Sequence, residues 1–299
     1  MAVVGLGSMG GGMARALRMA GHDVVGIDPS EAARAAFEAD GGTCIAPGEL
    51  SSRSIDVLVI AVVTAAQTRS VLTGADGLAD ALADGAVILS CSTMPPDETR
   101  ALADTIEAGD ARDIAFLDCP MSGGPAKAAS GTLTFMASGS AAAFKRAQSA
   151  LEAMGEKTYR LGDAPGAGSS MKLVNQLLAG VHIAAACEAM TLAVRMGLEP
   201  RQVYEVITNA AGNSWMFENR MPHVLEGDYS PKSAVNIFTK DLGIVSDTGR
   251  AQEFPTPMAG QALQLFTMAA AAGMGGDDDT SVARVYAMLA GLELPARES

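Results

Sequence analysis

The opening of this chain leaves it few folds to choose from. AVVGLGSMGGGMARALRMAGHDVVGIDPS sets a short apolar run against a glycine turn, then a helical stretch, then a second apolar run. Met13, Ala16, Leu17 and Ala20 recur at helical spacing and the pattern stops at Gly21. A strand that turns on glycine directly into a helix and returns as a strand is a βαβ unit, and its two strands must be parallel. Gly5-Leu6-Gly7-Ser8-Met9-Gly10 fits G-x-G-x-x-G inside that unit, and the second strand ends on Asp28. The first glycine makes a tight turn, the second admits a ligand close to the backbone, and the third lets helix and strand pack. Free N–H groups at the helix start suit a pyrophosphate. A carboxylate at Asp28 suits the hydroxyls of an adenosine ribose and repels a 2′-phosphate, which favours NAD over NADP. Arg34, in the following helix, reads as a surface residue.

The alternation continues. A helix is expected over about 30–40, a short strand near TCIA, and a helix near 47–53. DVLVIAVV (56–63) and GAVILSCST (85–93) are β-branched runs bounded by turn signals, as expected of parallel strands buried on both faces. IAFLDCPMSGG and GTLTFMASG add two strands and KTYRLG another. After DAPGAGSS the texture changes, and no strand is expected from 170 onward. The expected fold is an α/β Rossmann-type N-terminal domain with a mostly parallel sheet, residues 1–163, and an all-α C-terminal domain, residues 164–299. A long interdomain helix at about 169–196 joins them.

Composition narrows the function. Among 299 residues 48% are hydrophobic, enough for a sizeable core, and aromatics at 4% leave close packing to small residues. The net charge of −13, with no basic cluster, argues against nucleic acid and anionic membranes as partners. Cys44, Cys91, Cys119 and Cys187 are scattered, as are His22, His182 and His223, so no metal site is expected. The apolar stretch Met171–Met196 is interrupted by Lys172, Asn175, Gln176, His182, Glu188 and Arg195, and reads as a buried helix rather than a membrane span. No signal peptide is recognised, and a cytoplasmic protein is expected.

Two further segments carry chemistry. DCPMSGGPAKAASGTLTFMASG follows the sixth strand, so Ser122-Gly123-Gly124 lies at a strand's carboxyl end, where open α/β sheets bind ligands. One hydroxyl and two unobstructed N–H groups suit a carboxylate. GAGSSMKLVNQLLAG starts the apolar helix and carries Lys172. An ammonium there is costly if unpaired, and desolvation favours the neutral amine, which can accept an alcohol proton as hydride leaves the same carbon. Asn175 and Gln176 follow at i+3 and i+4 and share its helix face. Three polar groups on an apolar helix read as a site.

GLGSMGGGM, DCPMSGGPAKAASGTLTFMASG, GAGSSMKLVNQ and FTKDLG together resemble, in order and spacing, the β-hydroxyacid dehydrogenase family of 3-hydroxyisobutyrate, tartronate semialdehyde and 6-phosphogluconate dehydrogenases. The resemblance spans essentially the whole chain. It implies that Lys172 is the catalytic acid/base and that Ser122, Gly123 and Gly124 hold the substrate carboxylate. Asn175, Gln176 and Lys240 would bind substrate, with Lys240 also beside the cofactor. Gly5, Leu6, Gly7, Ser8, Met9, Gly10, Asp28, Val62, Val63, Thr64 and Thr93 would bind NAD. The family's usual lysine-helix motif has Asn where this chain has Gln176. QLLAGVHIAAACEAM, AAGNSWMFENRMPHVLEGDYSP and SAVNIFTKDLG are similar to the subgroup that shares this Gln and oxidises L-threonate at C2 to 2-oxo-tetronate. The expected substrate is therefore a small anionic sugar acid, with another small β-hydroxy acid as the alternative. A homodimer or homotetramer is expected. Trp215, Met216 and Phe217 suit a pocket wall or a core or subunit contact, and the sequence does not choose.

Overall fold

The computed structural model describes residues 1–75, 77–109 and 113–296. The chain forms two compact units, Met1–Lys172 and Leu173–Ser299.

The first unit opens with β1 (Ala2–Val4), α1 (Gly10–Met19), β2 (Val25–Ile27), α2 (Glu31–Ala39) and β3 (Thr43–Cys44). It continues with β4 (Val57–Ile60), α3 (Ala65–Thr73), β5 (Val87–Ser90), α4 (Pro96–Ala108) and β6 (Ala115–Asp118). These six strands form one parallel sheet in the order β3-β2-β1-β4-β5-β6. VLVI and VILS inside the sheet and AFLD at its edge are buried throughout, which explains why they are apolar at every residue except the closing Ser90 and Asp118. Alternate residues feed opposite faces. Val57 and Val59 enter one core with Met13 and Leu17, while Leu58 and Ile60 enter the other with Leu72 and Met94. The strand order reverses between β1 and β4, which places the switch point at the carboxyl ends of these strands. The helix expected near 47–53 is a 3-10 turn, Pro47–Ser52.

The remaining strands of this unit make a separate sheet. After β7 (Met121–Ser122) come α5 (Gly124–Ser130), β8 (Leu133–Ala137), α6 (Ala141–Met154) and β9 (Gly155–Arg160). β7 pairs antiparallel with β8, and β8 parallel with β9. Pro120, without an N–H, stands between β6 and β7, and its carbonyl accepts from Met136 N at 2.9 Å. The chain thereby leaves one sheet and enters the other within two residues, a break that the apolar pattern of IAFLDCPMSGG does not reveal.

The long helix α7 (Ala167–Arg195) contains the division between the units. The second unit continues with α8 (Pro200–Thr208), α9 (Trp215–Glu226), α10 (Val235–Ala251), α11 (Pro257–Ala269) and α12 (Val282–Ala290). Its described residues hold no strand beyond the single bridge Ala234↔Asp278. Ile183, Cys187 and Met190 of α7 join Phe217, Met221, Phe238 and Phe266 in its core, where Phe238 stacks on Phe266 at 5.1 Å. Only one face of α7 is so covered. Val174, Leu178 and Leu192 are 49–58% exposed, so the sequence expectation of a buried helix holds for one side only. Within α9, Met216 and Phe217 are buried in the core and Trp215 is 56% exposed.

A buried polar cluster also lies in this second unit. His223 Nδ1 is 2.9 Å from Asp278 Oδ1, and Lys232 Nζ is 2.9 Å from His223 Nε2. Arg220 Nε donates to both carboxylate oxygens of Asp279, at 2.9 and 3.1 Å. Burial pushes Asp279 up to about 6, with Arg220 pulling against it. Burial also acts on Asp278, but the bonds from His223 and Thr280 outweigh it and hold that carboxyl at about 2. The consequences have opposite signs. Asp279, raised in the folded state, adds stability below its ordinary value of 3.8 that is lost as pH rises through about 6. Asp278 adds stability above 3.8 that is lost as pH falls toward 2. In urea unfolding, lowering the pH from 7 to 4 is therefore expected to gain up to about 3 kcal/mol from Asp279, at 1.36 kcal/mol per pKa unit. Asp279→Asn should lack this gain. Parallel stability profiles for the two proteins would contradict the assignment.

Candidate active site

The glycine turn after β1 sits among the neighbouring strand ends. Gly5 N donates to Ile27 O at 2.9 Å and Ala61 N to Val4 O at 2.8 Å, which ties the turn to β2 and β4. Gly5 has φ +87°, and a Cβ there would lie 2.7 Å from Ala61 O; a Cβ on Gly10 would lie 1.8 Å from Gly5 O. Protein contacts thus account for both. Gly7 differs, because no heavy atom lies within 4 Å of a Cβ built there and its φ is not positive. Its bare backbone faces open space, as a cradle for a close-approaching pyrophosphate requires. Ser8 is exposed and Met9 half-buried in the same turn.

Asp28, half-buried at the end of β2, receives Leu6 N on Oδ2 at 2.6 Å and Ser30 N on Oδ1 at 2.7 Å. The turn and the carboxylate are therefore one unit. Each carboxylate oxygen has two acceptor directions, so room for ribose hydroxyls remains. Arg34 is more than a surface residue: its Nη1 donates to Asp28 O at 2.8 Å and Pro29 O at 3.0 Å, which brings a guanidinium beside this corner.

The loop after β4 is rigid for a local reason. Thr64 caps α3 by accepting Gln67 N at 3.1 Å, while Gln67 Oε1 accepts Val63 N at 3.0 Å and Thr64 N at 2.9 Å. Ser92 Oγ, one residue before Thr93, donates to Val62 O at 2.8 Å. Val62, Val63 and Thr64 thus follow the carboxyl end of β4, next to the strand that carries the glycine turn, and Thr93 follows that of β5, one strand further on.

Ser122 ends β7 opposite Thr134, and Gly123 and Gly124 follow with φ +142° and +78°. Both values lie where residues with a Cβ are strained. Lys172 reaches this segment from α7: it is 8% exposed, and its Nζ donates to Met121 O at 2.9 Å. The structure therefore brings together Lys172 and the backbone immediately before Ser122, which lie far apart in sequence.

The start of α7 is held by a network that sequence reasoning did not single out. The buried Asp118 carboxylate accepts Gly166 N at 2.9 Å, Ser169 N at 2.8 Å and Ser169 Oγ at 2.8 Å. Ser138 Oγ donates to it at 3.3 Å and accepts Gly168 N at 3.0 Å, and Thr99 Oγ1 is 2.9 Å from Ser169 Oγ. Burial raises the Asp118 pKa, and the bonds from Ser169, Gly166 and Ser138 oppose that rise. The carboxylate satisfies N–H groups that a helix start leaves open, at the positive end of its dipole. The one available signal was an aspartate closing the apolar strand AFLD, an expensive position without partners.

Within the second unit, Asn175 Nδ2 donates to Gln176 Oε1 at 2.9 Å. Gln176 Nε2 in turn donates to Asp241 Oδ2 at 2.5 Å, and Lys240 Nζ to Asp241 Oδ1 at 2.5 Å. Gln176 is 7% and Asp241 1% exposed. The sequence reading named Asn175, Gln176 and Lys240 but not Asp241, the group that joins the last two. Among the described residues no cluster of His, Cys, Asp and Glu suits a metal ion.

Comparison with known proteins agrees with this geometry. Residues 1–162 match the family model of the NAD binding domain of 6-phosphogluconate dehydrogenase. Residues 166–286 match that described as NAD-binding of NADP-dependent 3-hydroxyisobutyrate dehydrogenase. The L-threonate dehydrogenase of Cupriavidus necator is 49% identical over 99% of this chain and 97% of its own. That of Escherichia coli K12 is 47% identical over 99% of this chain and 97% of its own. A crystal structure described as 3-hydroxyisobutyrate dehydrogenase from Salmonella typhimurium superimposes with a TM-score of 0.88 at 48% identity, covering 95% of this chain and 98% of that one. With a doubly wound nucleotide-type sheet, a helical second unit and both family models in register, the chain belongs to the NAD-binding dehydrogenases of the 3-hydroxyisobutyrate (β-hydroxyacid) dehydrogenase family.

Proposed function

We propose that this chain oxidises the C2 hydroxyl of L-threonate to 2-oxo-tetronate with NAD. The observation that carries this reading is the buried Lys172, tied at 2.9 Å to the carbonyl that precedes Ser122. It occurs in a chain 49% identical, nearly end to end, to an L-threonate dehydrogenase. NAD, when bound, would supply the acceptor for the hydride lost from the C2–H bond. Lys172 takes the hydroxyl proton, so that the O–H bond breaks as an N–H bond forms at Nζ. The Met121 carbonyl holds that nitrogen in place. The Ser122 hydroxyl and the Gly123 and Gly124 N–H groups hold the substrate carboxylate, and Asn175, Gln176 and Lys240 recognise the rest of the acid. Gly5 to Gly10, Asp28, Val62 to Thr64 and Thr93 hold the dinucleotide.

A panel of small hydroxy acids, followed by NADH absorbance, tests the substrate. L-threonate is expected to give the highest kcat/KM. The second reading is oxidation of another small β-hydroxy acid, favoured by the likeness to the structure described as 3-hydroxyisobutyrate dehydrogenase. A higher kcat/KM for 3-hydroxyisobutyrate or glycerate would establish it instead.

The carboxylate contact has its own test. Ser122→Ala removes a bond made in both ground and transition states, so its loss is expected in KM, by about 1.5–3 kcal/mol for a bond to a charged group. An unchanged KM for L-threonate would remove Ser122 from the clamp.

Cofactor choice rests on Asp28, whose charge opposes a 2′-phosphate, against Arg34 at the same corner, whose charge attracts one. Asp28 is closer to the glycine turn through its bond to Leu6 N, and a preference for NAD is expected. Asp28→Asn should shrink the ratio of kcat/KM values for NAD over NADP by about tenfold, as one unit of repulsion is lost. Equal efficiency of the wild-type protein with both cofactors would contradict this.

The functional domains are taken as 1–163 and 164–299, supported by family-model matches that end at 162 and resume at 166. A homodimer or homotetramer is the corresponding whole, supported by the exposed apolar side chains along α7, and a cytoplasmic location is supported by the chain's likeness to metabolic dehydrogenases. Size-exclusion chromatography with light scattering tests the assembly; a monomer at micromolar concentration would exclude it.

A further inference from the structure

We propose that Asp241 is a positioning residue that sets the polarity of the Gln176–Asn175 amide pair, so that the site offers an acceptor, Asn175 Oδ1, to a second hydroxyl of the substrate. The inference rests on the functional reading above, which places these amides against substrate.

The two ends of an amide are told apart by their partners. An aspartate paired with a lysine ammonium offers only acceptors. Lys240 Nζ occupies Oδ1, so Oδ2 requires a donor, and Gln176 meets it with Nε2 at 2.5 Å. Gln176 Oε1 then points the other way and requires a donor itself, which Asn175 Nδ2 supplies at 2.9 Å. Asn175 Oδ1 is left as an acceptor with no hydrogen-bond partner among the described residues, on a half-buried side chain one helical turn from Lys172. Each orientation follows from the one before. A shorter asparagine in place of Gln176 would lack the methylene that lets one amide meet both Asp241 and Asn175. Turning both amides would leave Asp241 Oδ2 facing an oxygen instead of an NH₂, at the cost of a buried repulsion. A substrate that carries only its reacting hydroxyl and a carboxylate has no donor for Asn175 Oδ1. A polyhydroxy acid has.

Two substitutions test the relay. In Asp241→Asn, Lys240 retains the oxygen, so the new NH₂ faces Gln176 and both amides reverse. Asn175 then offers NH₂ where it offered oxygen. KM for L-threonate is expected to rise about tenfold or more, with kcat much less affected. In Gln176→Glu with Asp241→Asn, the amide introduced at position 241 donates to the carboxylate introduced at position 176, which again accepts from Asn175 Nδ2. The original polarity returns and KM is expected within about threefold of wild type. A structural role alone would not be rescued in this way. Gln176→Glu by itself sets two buried carboxylates face to face and should lower Tm, and adding Asp241→Asn should restore it; this reading needs no substrate. An unchanged Tm in Gln176→Glu, an unchanged KM in Asp241→Asn, or a double variant no better than Asp241→Asn would each overturn the relay. If the wild-type protein fails to oxidise L-threonate, the proposed substrate is wrong and the same variants are read on the acid it does oxidise. Should that acid hold no second hydroxyl, the acceptor role falls while the Tm arm still reports on the pairing.

Discussion

Lys172→Met is expected to lower kcat for L-threonate oxidation by about 10²–10⁴-fold, the usual contribution of a positioned acid/base group, while NAD affinity stays nearly intact. Methionine keeps the unbranched stem and its apolar contacts in α7 but has no group to receive the hydroxyl proton. It also forfeits the bond to Met121 O, which costs about 1 kcal/mol of stability at a site 8% exposed and leaves the fold in place. Lys172→Arg should be almost as inactive, because a guanidinium stays protonated and cannot accept. The decisive comparison is steady-state kcat for the three proteins with NADH binding measured in parallel. A methionine variant that binds NADH and oxidises L-threonate at a rate near wild type would show that Lys172 only fills its place in the helix. Lys240 would then be the amine to examine.

Asp118→Ala is expected to cost about 3–5 kcal/mol in urea unfolding, the range for breaking a buried hydrogen-bond network. The side chain receives four bonds, and alanine leaves Gly166 N, Ser169 N and two serine hydroxyls to find other partners out of reach of water. Asp118→Asn keeps one acceptor and should lose about half as much. Catalysis should suffer as well, because Ser169 stands just ahead of Lys172 on the same helix. A lysine whose helix start is loosened no longer returns reliably to Met121 O. Loss of kcat in Asp118→Asn at a temperature where the protein is fully folded would link the network to the lysine. An alanine variant within 1 kcal/mol of wild type would show that the network is dispensable.

The order of elements through β6 was legible in the sequence, because strands buried on both faces must be apolar at every residue and VLVI and VILS nearly are. So was the glycine turn, where Gly5 and Gly10 answer to contacts within a few residues or with the adjoining strand, and the helical character of everything after α7. Lys172, Asn175 and Gln176 were legible because polar groups on an apolar helix are costly, and cost is visible in one dimension. Their partners were not. Met121 O is a backbone atom and leaves no mark on the sequence, yet it is what holds Lys172. Asp118 and Asp241 looked like ordinary acids in a chain with 34 acidic residues, and only the fold shows them buried among donors. Arg34 resembled any exposed helix arginine until the β2–α2 corner turned its guanidinium onto the Asp28 carbonyl. The second sheet escaped for the same reason, since Pro120 ends one ladder and Met136 N, distant in sequence, begins the other. A sequence records what each residue costs where it stands; which groups offset that cost is decided by long-range pairing, and pairing exists only in the folded chain.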